Sequence, residues 1–101
     1  MHAVLVTFTT SVPAEALEPA MLDYADALGS VDGLLTKAWL QDGDTLGGFY
    51  VFRDAEAARA YLDGPIFRGI RINPVFTGLR VREFGLIDHL GARTGMPVPT
   101  A

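Results

Sequence analysis

Four segments of the chain carry the hydrophobic pattern that is typical of β-strands. They are rich in β-branched and aromatic residues, and the last alternates between apolar and polar positions through its middle. The predicted strands are residues 2–9, 34–41, 47–52 and 75–86. The sequence Asp42-Gly43-Asp44 predicts a hairpin turn between the second and third strands.

Helical periodicity occurs between these strands. Four residues recur at intervals of four, three and four, which predicts one helix face packed in the core. They are Leu17, Met21, Tyr24 and Leu28. Pro13 suits the start of this helix, whereas Pro19 predicts either a kink or a later start. A second helix is predicted over residues 55–62 with Asp54 as its N-cap, and a shorter helical piece over residues 65–70.

The predicted order is strand, helix, strand, strand, helix, strand, which is the ferredoxin-like βαββαβ plan. It predicts an α+β fold in which a four-stranded antiparallel sheet carries both helices on one face. A length of 101 residues fits one domain. We expect this domain to cover residues 1–90 and residues 91–101 to form a Gly- and Pro-rich C-terminal tail.

The parity of each strand position predicts which face of the sheet it occupies, because side chains alternate. Plain hydrophobic residues are expected to meet the helices. These are Val4, Val6, Phe8, Leu34, Ala38, Leu40, Phe49, Val51, Leu79 and Val81. The opposite face would then mix aromatic and polar side chains. Its predicted members are Leu5, Thr7, Thr9, Lys37, Trp39, Gly48, Tyr50, Phe52, Phe76, Arg80, Arg82 and Phe84.

This mixed face is too aromatic to face water and too polar to form a dry core. On a monomer it would be a large exposed apolar patch. Packing against a second copy about a two-fold axis would bury it, and a small hydrophobic or phenolic ligand in a cavity would supply partners for its polar groups. We therefore expect a homodimer formed through the sheet face.

Composition and charge exclude several classes of function. The formal net charge is −4 and no run of Lys or Arg occurs, so nucleic acid is not an expected partner. No segment approaches the ~18 apolar residues that cross a bilayer, and no signal peptide is recognisable, so we expect a cytoplasmic protein without a membrane partner. The chain has no cysteine, and its two histidines lack metal-ligand spacing. We expect neither a metal nor another cofactor.

Several motifs together resemble a known family. They are Lys-x-Trp at 37–39, Gly-Gly-x-Tyr at 47–50, Ala-x-x-Tyr-Leu at 58–62, Gly64-Pro65-Ile66-Phe67 and Val81-Arg82-Glu83-Phe84. This series extends from about Val4 to Leu86 and resembles the YdhR-like family of mono-oxygenases. The resemblance implies a dimeric α+β barrel with a pocket between sheet and helices. It also implies an activity like that of cofactor-independent mono-oxygenases, which oxidise phenolic rings with dioxygen alone.

Seven residues are candidates for binding such a substrate, and one of them, Arg82, is also a candidate for catalysis. A phenolic ring stacks well on Trp39, and the Tyr50 hydroxyl can donate a hydrogen bond to its oxygen. Arg80 and Arg82 lie two positions apart, so they project from one face about 7 Å from each other and would attract a phenolate or enolate. Phe52, Phe84 and Thr7 complete the set.

Three residues are candidates for catalysis. Burial would lower the pKa of Lys37 and make it a base. Arg82 would stabilise the deprotonated, electron-rich substrate that oxygenation needs. His89 follows Asp88, which could orient it as an alternative base. Structural alternatives are core or interface packing for the aromatic residues, ion pairing or exposure for the arginines, and a pocket-rim position for Lys37.

The first hypothesis for function is therefore a mono-oxygenase that uses no metal or flavin and acts on a small aromatic or polyketide-like substrate. The second is a cyclase or isomerase of a reactive polyketone, which works by acid–base catalysis without oxygen. The third is a dimer that binds a small hydrophobic molecule and has no enzymatic activity.

Overall fold

The four predicted strands form one antiparallel sheet in the order β2-β3-β1-β4, which confirms the ferredoxin-like α+β fold. The fold is described from a computed structural model that covers residues 1–97. The strands are β1 (His2–Thr9), β2 (Leu34–Asp42), β3 (Thr45–Phe52) and β4 (Thr77–Gly85). The helices are α1 (Ala14–Leu28), α2 (Ala55–Leu62), α3 (Pro65–Arg71) and α4 (Asp88–Arg93).

Local sequence signals set the helix boundaries. Pro13 is the N-cap of α1, and the helix continues through Pro19, so Pro19 does not start it. The predicted bounds of α2 are confirmed. The Asp54 carboxylate accepts a hydrogen bond of 2.8 Å from the Ala57 backbone N–H, as its N-cap position predicts.

Within residues 1–97, no helix is both long and apolar enough to cross a membrane.

Helix α4 was not predicted from the sequence. Its six residues form fewer than two helical turns, which is too short for a helical period to be recognised in the sequence. The helix includes residues 91–93, which are the start of the predicted tail. Residues 98–101 of that tail lie outside the described residues. Leu90 of α4 lines a shallow concavity together with Phe49 and Phe84 of the sheet.

The core lies between one side of the sheet and helices α1, α2 and α3. Val4, Val6 and Phe8 of β1 face these helices as predicted. Phe67 of α3 is fully buried in the same core cluster. Val81 pairs with Val6 and lies on the same side, also as predicted. We call the other side of the sheet, which these three helices do not cover, the open face.

The prediction for the faces of β3 was wrong. Tyr50 pairs with Val4 in the β1–β3 ladder, so Tyr50 and Phe52 face the helices. Phe49 and Val51, which were expected there, lie on the open face. The reason is that Phe49 to Phe52 are all apolar or aromatic, so hydrophobicity does not alternate and parity could not be assigned from it.

The prediction for β2 was wrong beyond its first residue. The pairing with β3 shifts between Leu34 and Thr36, which marks a bulge that reverses the alternation of side chains. Leu34 packs on the core as expected, but Lys37 and Trp39 then face the helices too. Ala38 and Leu40, expected toward the helices, lie on the open face.

Phe76 also departs from its predicted face. It precedes β4 and packs against Phe8 of the core, with the two ring centroids 4.4 Å apart. By contrast, Arg80, Arg82 and Phe84 lie on the open face as predicted, because Arg80 pairs with Thr7 and Phe84 with Ala3.

The β1–β3 ladder depends on glycine at position 47. A Cβ atom there would overlap the backbone carbonyl oxygen of Val6, which cannot rotate away. We expect Gly47→Ala to lower the free energy of unfolding by about 1–3 kcal/mol, measured by urea denaturation. Gly85→Ala is the matched control, because a Cβ at Gly85 of β4 meets open space. Equal stabilities of the two variants would contradict this account of the ladder.

Candidate functional site

A cavity of about 220 Å³ lies between the helix-facing side of the sheet and helices α1 and α3. Small residues line it from three elements: Ala20 on α1, Gly69 on α3 and Gly48 on β3. The rest of the wall is mostly apolar or aromatic. It includes Phe8, Leu17, Met21, Ile66, Ile70 and Phe76. A mostly apolar cavity with a few convergent polar groups is the usual form of a small-molecule site.

A second concavity of about 380 Å³ beside α2 has a different character. Four charged residues line part of it, and among them Arg53 already pairs with Asp32 and Asp54, each at 3.6 Å. Surface ion pairs of this kind contribute little free energy. The candidate functional residues Lys37, Trp39 and Tyr50 line the first cavity instead, which we call the sheet–helix cavity.

Lys37, the single lysine of the sequence, lies in the aromatic wall of the sheet–helix cavity. Its Nζ atom is 3.5 Å from the ring centroid of Trp39, 4.4 Å from that of Tyr50 and 4.5 Å from that of Tyr24. In the described part of the chain, no carboxylate forms an ion pair with this amine. Three rings rather than a counter-ion therefore surround it.

Burial lowers the pKa of Lys37 from its ordinary value of 10.5 to about 7. The faces of the rings attract an ammonium, which acts in the opposite direction to desolvation. At that pKa the amine is neutral in about half of the molecules at neutral pH. It can then accept a proton or attack an electrophile.

The hydroxyls of all three tyrosines of the sequence are hydrogen-bonded to one another, and the rings of two of them, Tyr24 and Tyr50, lie beside the amine. Tyr24 Oη lies 2.9 Å from Tyr50 Oη, and it is also hydrogen-bonded to Tyr61. Tyr61 in turn donates to Tyr50 at 3.2 Å. Burial raises the pKa of Tyr24 to about 12, and burial together with the neighbouring Tyr24 raises the pKa of Tyr50 well above its usual range. Both therefore stay protonated at neutral pH and can act as hydrogen-bond donors.

Three of the sequence-predicted site residues meet in the sheet–helix cavity: Lys37, Trp39 and Tyr50. Trp39 keeps 44% of its surface exposed, so the cavity wall is reachable from solvent at this point. The β2 bulge and the β2–β3 register bring them together, since Lys37 pairs with Tyr50 and Trp39 pairs with Gly48. Their convergence supports the pocket between sheet and helices that the family resemblance implied.

Four other predicted site residues lie on the opposite side of the sheet. Thr7, Arg80, Arg82 and Phe84 all belong to the open face, so within one chain they do not line the sheet–helix cavity. The expectation that they share a face with Lys37 and Trp39 was wrong, because it assigned β2 and β3 the wrong parity. The Arg82 guanidinium instead lies 4.9 Å from the ring centroid of Phe84.

Phe52 and His89 also lie outside the sheet–helix cavity. Phe52 faces the helices but is completely buried, with its ring 6.1 Å from that of Tyr50, so it supports the wall from behind. His89 is exposed on α4 and does not line this cavity. Among residues 1–97, no group of three or more His, Asp or Glu side chains is placed to hold a metal ion.

Sequence reasoning missed the role of two residues. Tyr24 was expected only to pack in the core, yet it lines the cavity and links Lys37 to the other tyrosines. Its hydroxyl in an otherwise apolar helix stripe was the available signal. Gly48 was assigned no specific function, but a Cβ there would overlap Lys37 Cε.

Comparison with known proteins gives one family match. The family model described as "Putative mono-oxygenase ydhR" matches residues 4–96. No curated protein sequence matches the chain.

Three solved structures show the same fold. SnoaB, a cofactor-independent oxygenase from Streptomyces nogalater, is 15% identical with a TM-score of 0.68, over 84% of this chain and 91% of that one. A putative antibiotic biosynthesis monooxygenase from Deinococcus radiodurans is 16% identical with a TM-score of 0.67, over 100% and 99%. A variant of MhuD with two manganese protoporphyrin IX bound per active site is 26% identical with a TM-score of 0.60, over 84% and 94%.

The electrostatics of Lys37 can be tested directly, because one lysine gives one signal. We expect its ¹³Cε NMR resonance to titrate near pH 7, well below the ordinary value of 10.5. Gly48→Ala should move this midpoint back upward, since the new methyl group displaces the amine toward solvent. Gly69→Ala is the control, because a Cβ there meets no atom. A wild-type midpoint near 10 would contradict the account.

Proposed function

The chain belongs to the family described as putative mono-oxygenase ydhR, and from this premise we propose that it is a cofactor-independent mono-oxygenase. Its substrate would be a small aromatic or polyketide-like molecule that binds in the sheet–helix cavity. The observation that carries the proposal is the Lys37 amine, which lies among three aromatic rings and has no carboxylate partner among the residues that the structure describes. The fold shared with SnoaB, a cofactor-independent oxygenase, supports it.

The first step is binding and deprotonation. A flat phenolic or enolisable ring packs against Trp39, and the neutral Lys37 amine accepts its acidic proton. When substrate binds, Tyr24 or Tyr50 would exchange a hydrogen bond within the tyrosine cluster for one donated to the substrate oxygen on which negative charge develops. Because the cavity is largely apolar, these interactions are stronger than they would be in water.

The second step is oxidation of the carbanion by dioxygen. The anion transfers electrons to dioxygen, and a C–O bond forms at a ring carbon that carries a hydrogen atom, to give a hydroperoxide. Loss of the remaining C–H proton breaks the O–O bond, so one oxygen atom stays as a carbonyl and the other leaves as water. The substrate supplies all the electrons, and therefore no external reductant is needed.

The roles of the predicted residues change accordingly. Lys37 is proposed as the base, with Trp39, Tyr50 and Tyr24 as the residues that position the ring. Arg82 and His89, the other predicted catalytic residues, are not placed to act in this cavity within one chain. Neither histidine lines the cavity and the tyrosine hydroxyls bond to one another, so no observation favours a porphyrin like that bound by MhuD.

The activity is tested with naphthols and hydroxytetralones under ¹⁸O₂. We expect oxygen consumption and one ¹⁸O atom in the product, read by mass spectrometry. Lys37→Met should lower kcat by about 10²–10⁴-fold, the usual contribution of a general base. Arg59→Met, an exposed change on α2, is the control and should retain full activity.

Two outcomes would contradict the oxygenase proposal. Equal conversion under nitrogen would favour the cyclase or isomerase hypothesis, since that chemistry needs no oxygen. Binding without any product would favour the non-enzymatic dimer. Full activity of the Lys37→Met variant would remove Lys37 as the base.

We also propose that the open face forms a homodimer. Phe49, Phe84 and Leu40 lie on it, and Ile87 and Leu90 expose large apolar surfaces beside it. A second copy placed there would bury this patch and bring Arg80 and Arg82 to the interface.

The dimer is tested by sedimentation velocity at micromolar concentration. We expect the wild type to sediment as a dimer, and Leu40→Glu to weaken it at least about tenfold, because a buried charge would be left without a partner. Leu22→Glu is the matched control: Leu22 is 57% exposed on α1, and Leu40 is 38% exposed on the open face. A monomeric wild type, or equal effects of both changes, would contradict this interface.

A further inference from the structure

We propose that Lys37 is a carbonyl-reactive lysine, and that the sheet–helix cavity binds small aromatic aldehydes and ketones as reversible imines. This inference concerns bond formation at Nζ rather than proton transfer. It does not depend on oxygen chemistry and therefore does not rest on the proposed function.

The position of the amine carries the inference. Nζ lies at the cavity wall, 3.5 Å from the Trp39 ring centroid, on the side of the sheet that faces α1 and α3. Because Nζ covers one face of the indole, a planar aldehyde that packs at the edge of Trp39 in the cavity would bring its carbonyl carbon beside this nitrogen. The single lysine of the chain is thus placed where an apolar carbonyl compound would bind.

The groups around Lys37 keep the amine available. Tyr50 faces it from β3 and Tyr24 from α1, and both remain protonated at neutral pH. Helix α3 contributes Ile66, Gly69 and Ile70, and Asn73 follows it. In the described part of the chain, no carboxylate, guanidinium or imidazole lines this cavity. No neighbouring anion therefore holds the amine in its charged, unreactive form.

The same surroundings suit the chemistry of imine formation. The neutral amine attacks the carbonyl carbon to form a C–N bond, and its proton moves to the oxygen to give a carbinolamine. A tyrosine hydroxyl can donate a proton as the C–O bond breaks and water leaves, and it recovers the proton lost from nitrogen. The products are one imine and one water molecule, with no change of oxidation state. An apolar cavity disfavours the return of water.

The inference is tested by reductive trapping under nitrogen. The wild-type protein is mixed with benzaldehyde, sodium cyanoborohydride and N-acetyl-lysine amide as an internal reference, and the benzylated peptides are mapped by mass spectrometry. At pH 7 we expect Lys37 to be labelled at least about tenfold faster than the reference amine, whose ordinary pKa leaves under about 0.1% neutral. The labelling rate of Lys37 should level off above about pH 7, while that of the reference keeps rising toward about pH 10.

Two further measurements sharpen the assignment. Propanal, which lacks a ring, should label Lys37 more slowly than benzaldehyde relative to the reference, and Trp39→Leu should reduce this preference. Peptide mapping separates the Lys37 adduct from one at the terminal amine. Labelling of Lys37 no faster than the reference would overturn the inference, and so would a rate that follows the reference up to pH 10.

These outcomes are independent of the oxygenase experiment. Labelling at Lys37 in a protein that consumes no oxygen would support the imine site while contradicting the proposed function. Oxygen consumption without faster labelling of Lys37 would support the proposed function while contradicting the imine site.

Discussion

The candidate site depends on the desolvation of one amine. Lys37 is held among three aromatic rings, and within residues 1–97 no carboxylate pairs with it. A buried ammonium is unfavourable, so the protein lowers the pKa of this group instead of pairing its charge. The rest of the cavity follows from this arrangement: the wall must be apolar enough to desolvate the amine, and the nearby tyrosines must satisfy their hydroxyls with one another.

The sheet builds this arrangement through two local irregularities. The bulge between Leu34 and Thr36 turns Lys37 and Trp39 toward the helices. Gly48, paired with Trp39, leaves the space that the end of Lys37 occupies. Together they convert an edge strand and its neighbour into one wall of a ligand-sized cavity.

The sequence predicted the order of strands and helices because hydrophobic periodicity is a local property. It also identified Lys37, Trp39 and Tyr50 as residues that could do chemistry. It could not assign the faces of β2 and β3, since Phe49 to Phe52 offer no alternation and a bulge leaves no compositional mark. The grouping of Arg80 and Arg82 with Lys37 failed for that reason. Tyr24 was missed because a contact between a helix and a distant strand depends on packing, which no local pattern encodes.

The most direct test of this account asks where an aromatic ligand binds. The ¹⁵N-labelled protein is titrated with 1-naphthol, and chemical-shift changes of backbone amides and the Trp39 indole are followed. We expect changes at Trp39, Gly48 and Tyr50, which belong to the sheet–helix cavity. Changes confined to Thr7, Arg82 and Phe84 on the open face would contradict it.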